Sequence, residues 1–481
     1  MILANYKPQE VLKHFEAISQ IPRGSGNEKA VSDYIAQFAQ GLGRKTIQDE
    51  LNNLVIFKPA SYGYEASPTI ILQAHLDMVC EKNADTTHDF LNDPIQLYVD
   101  GDFVKARGTT LGADNGLGVA LCMALLEESN LTHPPLEIVL TVDEEAGMTG
   151  ADKLGCSVLK GRRMINLDNS EDSQIIMGCA AGTGIKYTIP VEWEKRPDSS
   201  FVYEVSVKGL IGGHSGADIH RERGNALRII GQVLAALAQH IDISVASING
   251  GMKVNAIPRE ATATIVIPQG QECRALEILS DCCQSFAQQY RATDAGLCIE
   301  YHSATTDNII CRHSTQKLIS ALILLPNGVL HMSTELDELV NSSCNIGVVE
   351  TLQDSIRIVA MGRGAAAHFN QQMERQAAYL AKLLGIQPSI TTRTAAWPYN
   401  PDSQLLKLAE KCYAPIFGHA PKVTAIHAGL ECGLFSEKID GLDIISIGAT
   451  NHDLHTPDER LSISSTAKTW QFVKSILEAA K

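Results

Sequence analysis

A short apolar run that ends in two adjacent carboxylates constrains this chain most. Residues 136–142 are mainly aliphatic and β-branched, follow a Pro pair and lead into Glu144 and Glu145, which predicts a buried strand with an acidic end. Neighbouring side chains point in different directions, so two carboxylates at one strand end can divide cation binding and proton transfer between them. A solvated acidic turn is the alternative, and the rest of the chain has to decide between the two.

Other segments repeat this pattern of an apolar strand or a helix start that carries a His or Asp. In chain order they are His75 and Asp77 after a strand at 68–74, Asp114 before a helix at 119–127, Asp168 at the end of a strand at 163–168, and His455 after a strand at 442–448. Sites in open α/β sheets lie at the carboxyl ends of the strands, so we expect these groups to converge. The Gly-rich segment 105–119 is alternatively a phosphate loop, but it has neither the Walker lysine pattern nor a clean Gly-x-Gly-x-x-Gly.

The candidate ligands offer nitrogen and oxygen donors and no thiolate: His75, Asp114, Glu145, Asp168 and His455. This set suits zinc, cobalt or manganese. Five protein ligands exceed the need of one tetrahedral zinc, whereas two metals that share a carboxylate account for the number. Asp114, central in the order, is the expected bridge. Asp77 then orients His75, and Glu144 stays free as a general base.

The length of 481 residues predicts two domains, or one with a large insertion. We expect an α/β fold with a mixed central sheet flanked by helices, formed by residues 1–185 and 396–481. Residues 186–395 are expected to form an inserted α+β lid or substrate domain with two similar halves, because strand-helix-strand-strand-helix occurs twice. The junctions near 182–184 and 394–398 are predicted to be hinges, and glycine suits the first of them.

Charge and composition exclude several partners. The net charge of −15 opposes binding to nucleic acid or anionic membranes and favours small peptide substrates. We find no apolar run of ~20 residues and no signal-peptide pattern at the start, which predicts a cytoplasmic protein. The 12 Cys show no zinc-knuckle spacing and are expected to be mostly reduced.

Longer strings carry a resemblance to a known family. They are Leu72-Gln-Ala-His-Leu-Asp-Met-Val-Cys-Glu-Lys-Asn83, Gly108-Thr-Thr-Leu-Gly-Ala-Asp-Asn-Gly116, Asp143-Glu-Glu-Ala-Gly147, Gly212-Gly-His-Ser-Gly216, His427-Ala-Gly-Leu-Glu-Cys-Gly433 and His455-Thr-Pro-Asp-Glu459. From the first helix to the last, the chain resembles the dinuclear zinc metallopeptidases that include aminoacylases, carboxypeptidase G and carnosinases. The strings are most similar to the branch that cleaves dipeptides ending in histidine.

The resemblance implies a role for each matching residue. His75 and Asp168 would bind one metal, Glu145 and His455 the other, with Asp114 between them and Asp77 and Glu144 as the catalytic pair. The Asp114–Asn115 peptide bond would be cis. Substrate or oxyanion contacts would come from four residues: His214, Asn255, Arg363 and Gly429. Two positions depart from the expected pattern, Asn169-Ser170 after Asp168 and the context Met361-Gly-Arg-Gly364. His452 is the alternative to His455, but its position relative to Thr-Pro-Asp-Glu favours His455.

The implied fold is the zinc-exopeptidase type, with ferredoxin-like halves in the lid. The implied function is hydrolysis of dipeptides with a free amino terminus, Xaa-His preferred, by two divalent ions, zinc first and cobalt or manganese as substitutes. A tripeptidase or an N-acyl-amino-acid deacylase would keep the same metal site, and a non-catalytic scaffold would be expected to lose ligands. The sequence does not decide whether the protein forms a homodimer.

Overall fold

The computed structural model describes residues 2–481, and these divide into two compact units. The helices are α1 (Gln9–Ile18), α2 (Lys29–Gly41), α3 (Ala113–Glu127), α4 (Thr149–Lys153), α5 (Ala226–Ala238), α6 (Glu272–Gln289), α7 (Arg312–Leu324), α8 (Ala367–Leu384), α9 (Gln404–Phe417), α10 (Glu431–Lys438) and α11 (Ile463–Ala479). No helix within 2–481 combines the length and the apolar character that a bilayer crossing requires.

The strands are β1 (Lys45–Gln48), β2 (Leu54–Lys58), β3 (Ile70–His75), β4 (Leu97–Asp100), β5 (Phe103–Ala106), β6 (Leu136–Thr141), β7 (Arg163–Asn166), β8 (Gln174–Cys179), β9 (Ala181–Pro190), β10 (Trp193–Lys195), β11 (Ser200–Lys208), β12 (Gly213–His214), β13 (Ser244–Gly250), β14 (Ala256–Ile257), β15 (Ala261–Pro268), β16 (Cys298–Ser303), β17 (Asn308–Ile310), β18 (Gly328–Met332), β19 (Val340–Thr351), β20 (Ser355–Gly364), β21 (Pro388–Arg393), β22 (Lys422–Ile426), β23 (Asp443–Ser446), β24 (Asn451–His452) and β25 (Arg460–Ser462).

Unit 1 contains the described residues up to Gly178, together with Tyr399–Ala425 and Leu430–Lys481. Its sheet has the strand order β1-β2-β6-β3-β7-β23-β8-β22, and the central strands β6, β3, β7 and β23 run parallel. Strands β3 and β6 are buried along their whole length, as expected for parallel strands covered on both faces. The carboxyl ends of the four parallel strands therefore lie at one edge of the sheet.

A smaller antiparallel sheet in unit 1 anchors two loops that carry candidate ligands. Its order is β24-β25-β5-β4. The segment 453–459 connects β24 to β25 and carries His455, whereas β5 leads into the Gly-rich segment before α3. One small sheet thus positions both the His455 hairpin and the start of α3.

Unit 2 contains Cys179–Pro398 and Ile426–Gly429, with an antiparallel sheet of order β16-β11-β15-β13-β19-β20-β9-β21 and β18 beside β19. Along the chain, β11-α5-β13-β15-α6-β16 is one βαββαβ half. The second half is β9-α7-β19-β20-α8-β21, into which the first is inserted after β9. Both halves have the ferredoxin-like arrangement, and β13 joins β19 at Asn249↔Glu350 and Gly250↔Val349. The predicted fold class, including the two similar halves, is confirmed.

The glycines at 182–184 lie inside β9, which pairs with β20 on one side and β21 on the other. A Cβ on Gly184 would come within 2.4 Å of Thr391 Oγ1, so glycine here permits close packing. The hinge expected at this position stays a prediction. The compact units begin and end at 179 and 398, outside the expected limits 186 and 395, and residues 426–429 belong to unit 2. The functional division into two domains stays a prediction.

Asn225 ties the two halves of unit 2 together. Its side-chain oxygen accepts hydrogen bonds from the N–H groups of Leu227 and Arg228 at the start of α5. Its amide donates to Asn345 Oδ1 at 3.1 Å and to the Ile346 carbonyl at 2.9 Å. One buried side chain therefore caps a helix of the first half and holds a strand of the second.

We predict that Asn225→Ala lowers the free energy of unfolding by about 2 to 4 kcal/mol, because it removes a helix cap and leaves buried partners unpaired. The exposed Asn130→Ala should change stability by less than ~0.5 kcal/mol. Denaturant unfolding of both variants measures the difference. Equal stability of Asn225→Ala and the native protein would contradict this role.

Candidate metal centre

Three overlapping groups of His, Asp and Glu side chains at the carboxyl edge of the unit 1 sheet could each hold a cation. They are His75 with Asp114 and Asp168, His75 with Glu144 and Glu145, and Asp114 with Glu145 and His455. Within each group the potential ligand atoms lie within 4.8 Å of one another. The five side chains expected as ligands are therefore brought together.

Asp114 is shared by two of these groups. Its Oδ1 lies 3.1 Å from His75 Nε2, and its Oδ2 lies 3.2 Å from His455 Nε2. Asp168 Oδ1 lies 3.4 Å from His75 Nε2 on one side, and Glu145 Oε1 lies 2.9 Å from His455 Nε2 on the other. The Asp114–Asn115 peptide bond is cis, as the resemblance implied. The geometry is that of two ligand groups with one common carboxylate.

Asp77 contacts the back of this arrangement. Its Oδ1 lies 3.3 Å from His75 Nδ1, and its two oxygens accept hydrogen bonds from the N–H groups of Glu144 and Glu145. Ser25 donates a further hydrogen bond of 2.7 Å. Burial is the largest single influence and opposes ionisation, but the hydrogen bond and charge of His75, together with the hydrogen bonds from Ser25 and the Glu144 N–H, outweigh it and lower the pKa of Asp77 to about 2. Asp77 fixes the His75 ring and the acidic turn at the same time.

The ionisable side chains of the centre oppose one another in charge. Burial, with the nearby charges of Asp114 and Glu145, raises the pKa of Asp168 to about 7 despite the opposing effect of His75. Burial also raises the pKa of Glu144 well above its usual value. Hydrogen bonds to Asp114 and Glu145 raise the pKa of His455 to about 10. Cations at this position would remove the conflict, and the N/O donor set with its clustered carboxylates fits divalent metals.

Two residues that hold the centre were not identified from the sequence. Glu459 accepts hydrogen bonds of 2.8 to 3.2 Å from the N–H groups of residues 111–114, so it clamps the His455 hairpin to the Asp114 loop. Buried Arg23 donates to the carbonyls of Leu76 and Asp77 at 2.9 and 3.0 Å and also to the Gly112 carbonyl. Glu459 is the last residue of the segment Thr456-Pro-Asp-Glu459. Its backbone partners at 111–114 are distant in the sequence, so no local pattern indicates the contact.

The alternative histidine and one of the two sequence departures have structural explanations. His452 lies in β24 opposite Arg460, with its ring 6.0 Å from that of Phe103, and belongs to none of the ligand groups in the described chain. The Asn169 side chain bonds the backbone of Glu171 and Gln174 and shapes a turn. Neither residue provides a ligand here.

Unit 2 contains a separate cluster of basic side chains. His214 Nδ1 accepts from the N–H groups of Gly216 and Ala217, which leaves Nε2 as a donor, and Arg363 Nη2 lies 3.5 Å from that Nε2. Arg363 forms no ion pair with any residue in 2–481, and its buried Nε has no partner. Burial lowers the pKa of Arg363 to about 10. Two donors that face one another are an arrangement for an anionic oxygen.

Further residues surround this cluster. His427 Nε2 lies 2.7 Å from Ser343 Oγ, and burial, with the charge of Arg363, lowers the pKa of His427 to about 3. Asn255 is exposed and accepts a hydrogen bond from the Ser215 N–H next to His214, and Gly429 follows His427 in the same unit. His427 begins the segment His427–Gly433, and the sequence indicated no function for its side chain.

The unusual context of Arg363 follows from packing. A Cβ on Gly362 would lie 2.7 Å from Met373 Sδ, and one on Gly364 would lie 2.7 Å from the Phe369 Cβ. The two glycines let α8 pack closely on β20. The departure from the expected motif thus reflects helix packing and leaves the guanidinium in the cluster.

A set of His and carboxylate ligands at the ends of parallel strands is typical of metal-dependent hydrolases. Residues 71–479 match peptidase family M20/M25/M40, and the chain belongs to that family. It is therefore a hydrolase of the metallopeptidase class, as the sequence predicted.

Relatives extend over nearly the whole chain. The chain is 36% identical to the cytosol non-specific dipeptidase of Escherichia coli (strain K12), over 99% of this chain and 98% of that protein. Aminoacylhistidine dipeptidase from Vibrio alginolyticus matches at a TM-score of 0.93 with 37% identity, over 99% of this chain and 98% of the other. A tripeptidase from Staphylococcus aureus subsp. aureus Mu50 matches at 0.57 with 16% identity, over 99% of each chain, and indicates the fold alone.

Metal binding by unit 1 should release protons. With a pKa of about 10, His455 is protonated at pH 7 in the metal-free protein, and a ligand nitrogen must lose its proton. Affinity for Zn²⁺ should therefore rise with pH between 6 and 8 by ~10-fold per unit for each proton released. Calorimetry in two buffers of different ionisation enthalpy counts the protons. Zn²⁺ binding to His455→Ala should release fewer protons than binding to the native protein, and binding to His452→Ala should release the same number. An affinity of the native protein that does not depend on pH would contradict the assignment.

Loss of the Glu459 clamp should destabilise the fold and weaken the centre. We expect Glu459→Ala to lower the free energy of unfolding by about 3 kcal/mol or more, because four backbone N–H groups lose their acceptor. The neighbouring exposed Asp458→Ala should change it by less than ~0.5 kcal/mol. Chemical denaturation and Zn²⁺ titration of the two variants test this. Native-like stability and Zn²⁺ affinity in Glu459→Ala would refute the clamp.

Proposed function

We propose that this protein is a two-metal dipeptidase that cleaves Xaa-His and related dipeptides with a free amino terminus. The observation that carries the proposal is the Asp114 carboxylate, which lies between His75 and His455 at 3.1 and 3.2 Å. In the proposal His75 and Asp168 hold one divalent ion, Glu145 and His455 hold the other, and Asp114 contacts both. Zinc suits these ligands best, and cobalt or manganese can replace it.

The residues around the ions divide the chemistry between them. When bound, two divalent ions polarise the scissile carbonyl and lower the pKa of an attacking water. Glu144, which the ligand set does not need, takes a proton from that water and passes it to the leaving amine. Asp77 keeps the His75 ring and the backbone of Glu144 in place.

The basic cluster of unit 2 supplies the proposed contacts for the other end of the peptide. Arg363 has no acidic partner among residues 2–481 and is available for a carboxylate. The Nε2–H of His214, oriented by two backbone N–H groups on Nδ1, is the proposed donor to the developing oxyanion. Asn255 and Gly429 are proposed to complete the substrate contacts.

Two relatives support dipeptides as the substrate class. Both the Escherichia coli and the Vibrio alginolyticus proteins are named dipeptidases and align with nearly the whole chain. The first name describes broad specificity and the second a preference for histidine, so the breadth of the substrate range belongs to the test. The word cytosol in the first name supports the proposed cytoplasmic location.

Substitutions of Glu144 and of Glu145 should differ in their effects on activity and metal content. Glu144→Gln should lower kcat by ~10²- to 10⁴-fold, because it removes a proton carrier and no ligand. It should keep nearly the native metal content. Glu145→Gln should lose activity together with metal. Elemental analysis and steady-state kinetics on the same samples separate the two effects, and equal loss of metal in both variants would overturn the division of roles.

Arg363 should recognise the substrate carboxylate. Arg363→Ala should raise KM by ~10- to 100-fold for dipeptides with a free C-terminus, because it removes a charge-assisted hydrogen bond. Dipeptide amides should be affected much less. Arg357→Ala, on the same strand but paired with Glu350, is the control and should resemble the native enzyme. Equal effects of Arg363→Ala on acids and amides would rule the contact out.

A substrate panel on metal-loaded protein tests the proposed activity. We expect Xaa-His dipeptides to be cleaved at least ~10-fold more efficiently than tripeptides or N-acetylated amino acids, since pairing of polar groups sets such ratios. Faster cleavage of N-acetylated amino acids would assign the enzyme to the deacylases, and faster cleavage of tripeptides to the tripeptidases. Either result would replace the dipeptidase proposal.

A further inference from the structure

A row of buried polar side chains crosses the unit 1 sheet behind the candidate ligands. The Ser446 hydroxyl on β23 donates to Asn166 Oδ1 on β7, and the Asn166 amide donates to Gln73 Oε1 on β3. Gln73 Nε2 then donates to Glu431 Oε2 at 2.6 Å, and the Thr141 hydroxyl on β6 donates to the same oxygen at 2.7 Å. Four adjacent strands are thus connected by side chains that are at most 1% exposed.

All donors in this row point toward Glu431. This residue begins α10, is 1% exposed, and has a second carboxyl oxygen, Oε1, without a hydrogen-bond partner among residues 2–481. A buried carboxyl group with one unpaired oxygen is costly. Its position near the charges of His75, Asp168 and Asp77 points to a role tied to the metal centre.

On β3 and β7 the polar side chains of the row lie two residues before a candidate ligand. Gln73 precedes His75 by two positions and therefore lies on the same face of β3, and Asn166 precedes Asp168 by two. His75 is paired in register with Thr141 across β3 and β6. By accepting from both Gln73 and Thr141, Glu431 fixes the two strand ends that lead to His75 and to the turn of Glu144 and Glu145.

We propose that Glu431 is a positioning residue: through Gln73 and Thr141 it holds the ends of β3 and β6, and with them His75 and the acidic turn, at the separation that metal binding requires. The inference rests on the proposed two-metal function. Burial raises the pKa of Glu431 to about 8, against the opposing effects of His75 and Thr141. Glutamine has nearly the same shape, and its amide oxygen can accept the same two hydrogen bonds from Gln73 and Thr141, which makes Glu431→Gln the conservative variant.

The test compares Glu431→Ala with Glu431→Gln and with Glu137→Gln. Glu137 is a matched control, because it is a buried carboxylate at the opposite end of β6 that accepts from the N–H groups of Lys160 and Gly161. The readouts are the dissociation constant for Zn²⁺ alone, measured by competition with a chromogenic chelator, and kcat and KM for a dipeptide. Thermal unfolding of each variant is measured in parallel.

We expect Glu431→Ala to weaken Zn²⁺ binding and to lower kcat by ~10- to 100-fold with little change in KM, as for other residues that orient metal ligands. Glu431→Gln should restore both to within ~3-fold of the native values, and Glu137→Gln should leave Zn²⁺ affinity unchanged even if it lowers thermal stability. Native-like Zn²⁺ affinity in Glu431→Ala would overturn the proposal. A loss of Zn²⁺ affinity and kcat in Glu431→Gln as large as that in Glu431→Ala would also overturn it.

If Glu431→Ala does not fold, Thr141→Val removes one of the two donors while it keeps the shape of the side chain. It should weaken Zn²⁺ binding measurably, and an unchanged affinity would overturn the proposal. A native protein that binds no metal and cleaves no dipeptide would refute the proposed function itself. A native protein that does both, beside an unaffected Glu431→Ala, would refute only the role of Glu431.

Discussion

The Asp114 carboxylate, held between two histidines at 3.1 and 3.2 Å, is the interaction on which the rest of unit 1 depends. Five acidic side chains lie close to those histidines: Asp77, Asp114, Glu144, Glu145 and Asp168. So many ionised carboxylates cannot be buried together without cations, and the raised pKa values of Asp168 and Glu144 express that conflict. Two divalent ions would supply four positive charges and let the carboxylates ionise.

The fold resolves the problem of assembling such a cluster by taking its members from separate strand ends. Parallel strands β6, β3, β7 and β23 bring segments from distant parts of the sequence to one edge. Glu459 and Arg23 then fix the loops beyond that edge through backbone hydrogen bonds. The chemistry is therefore placed by rigid strands and by loops with little freedom, which suits ligands that must keep narrow distances.

Much of this was predictable from the sequence, since the apolar runs 68–74 and 136–142 overlap with β3 and β6 and the candidate ligands lie at their ends. What the sequence did not reveal has physical reasons. Glu459, Arg23 and Glu431 act through partners far away in the chain, which no local pattern records. Edge strand β21 is largely exposed and lacks the alternation that reveals a strand.

Anomalous diffraction from crystals of the zinc-loaded protein tests the central claim most directly. We predict two zinc peaks ~3.5 to 4 Å apart, one beside each histidine, with Asp114 between them. His75 and Asp168 should lie on one peak, and Glu145 and His455 on the other, at ~2.0 to 2.2 Å. A single peak at full occupancy, or zinc that avoids Asp114, would contradict the two-metal account.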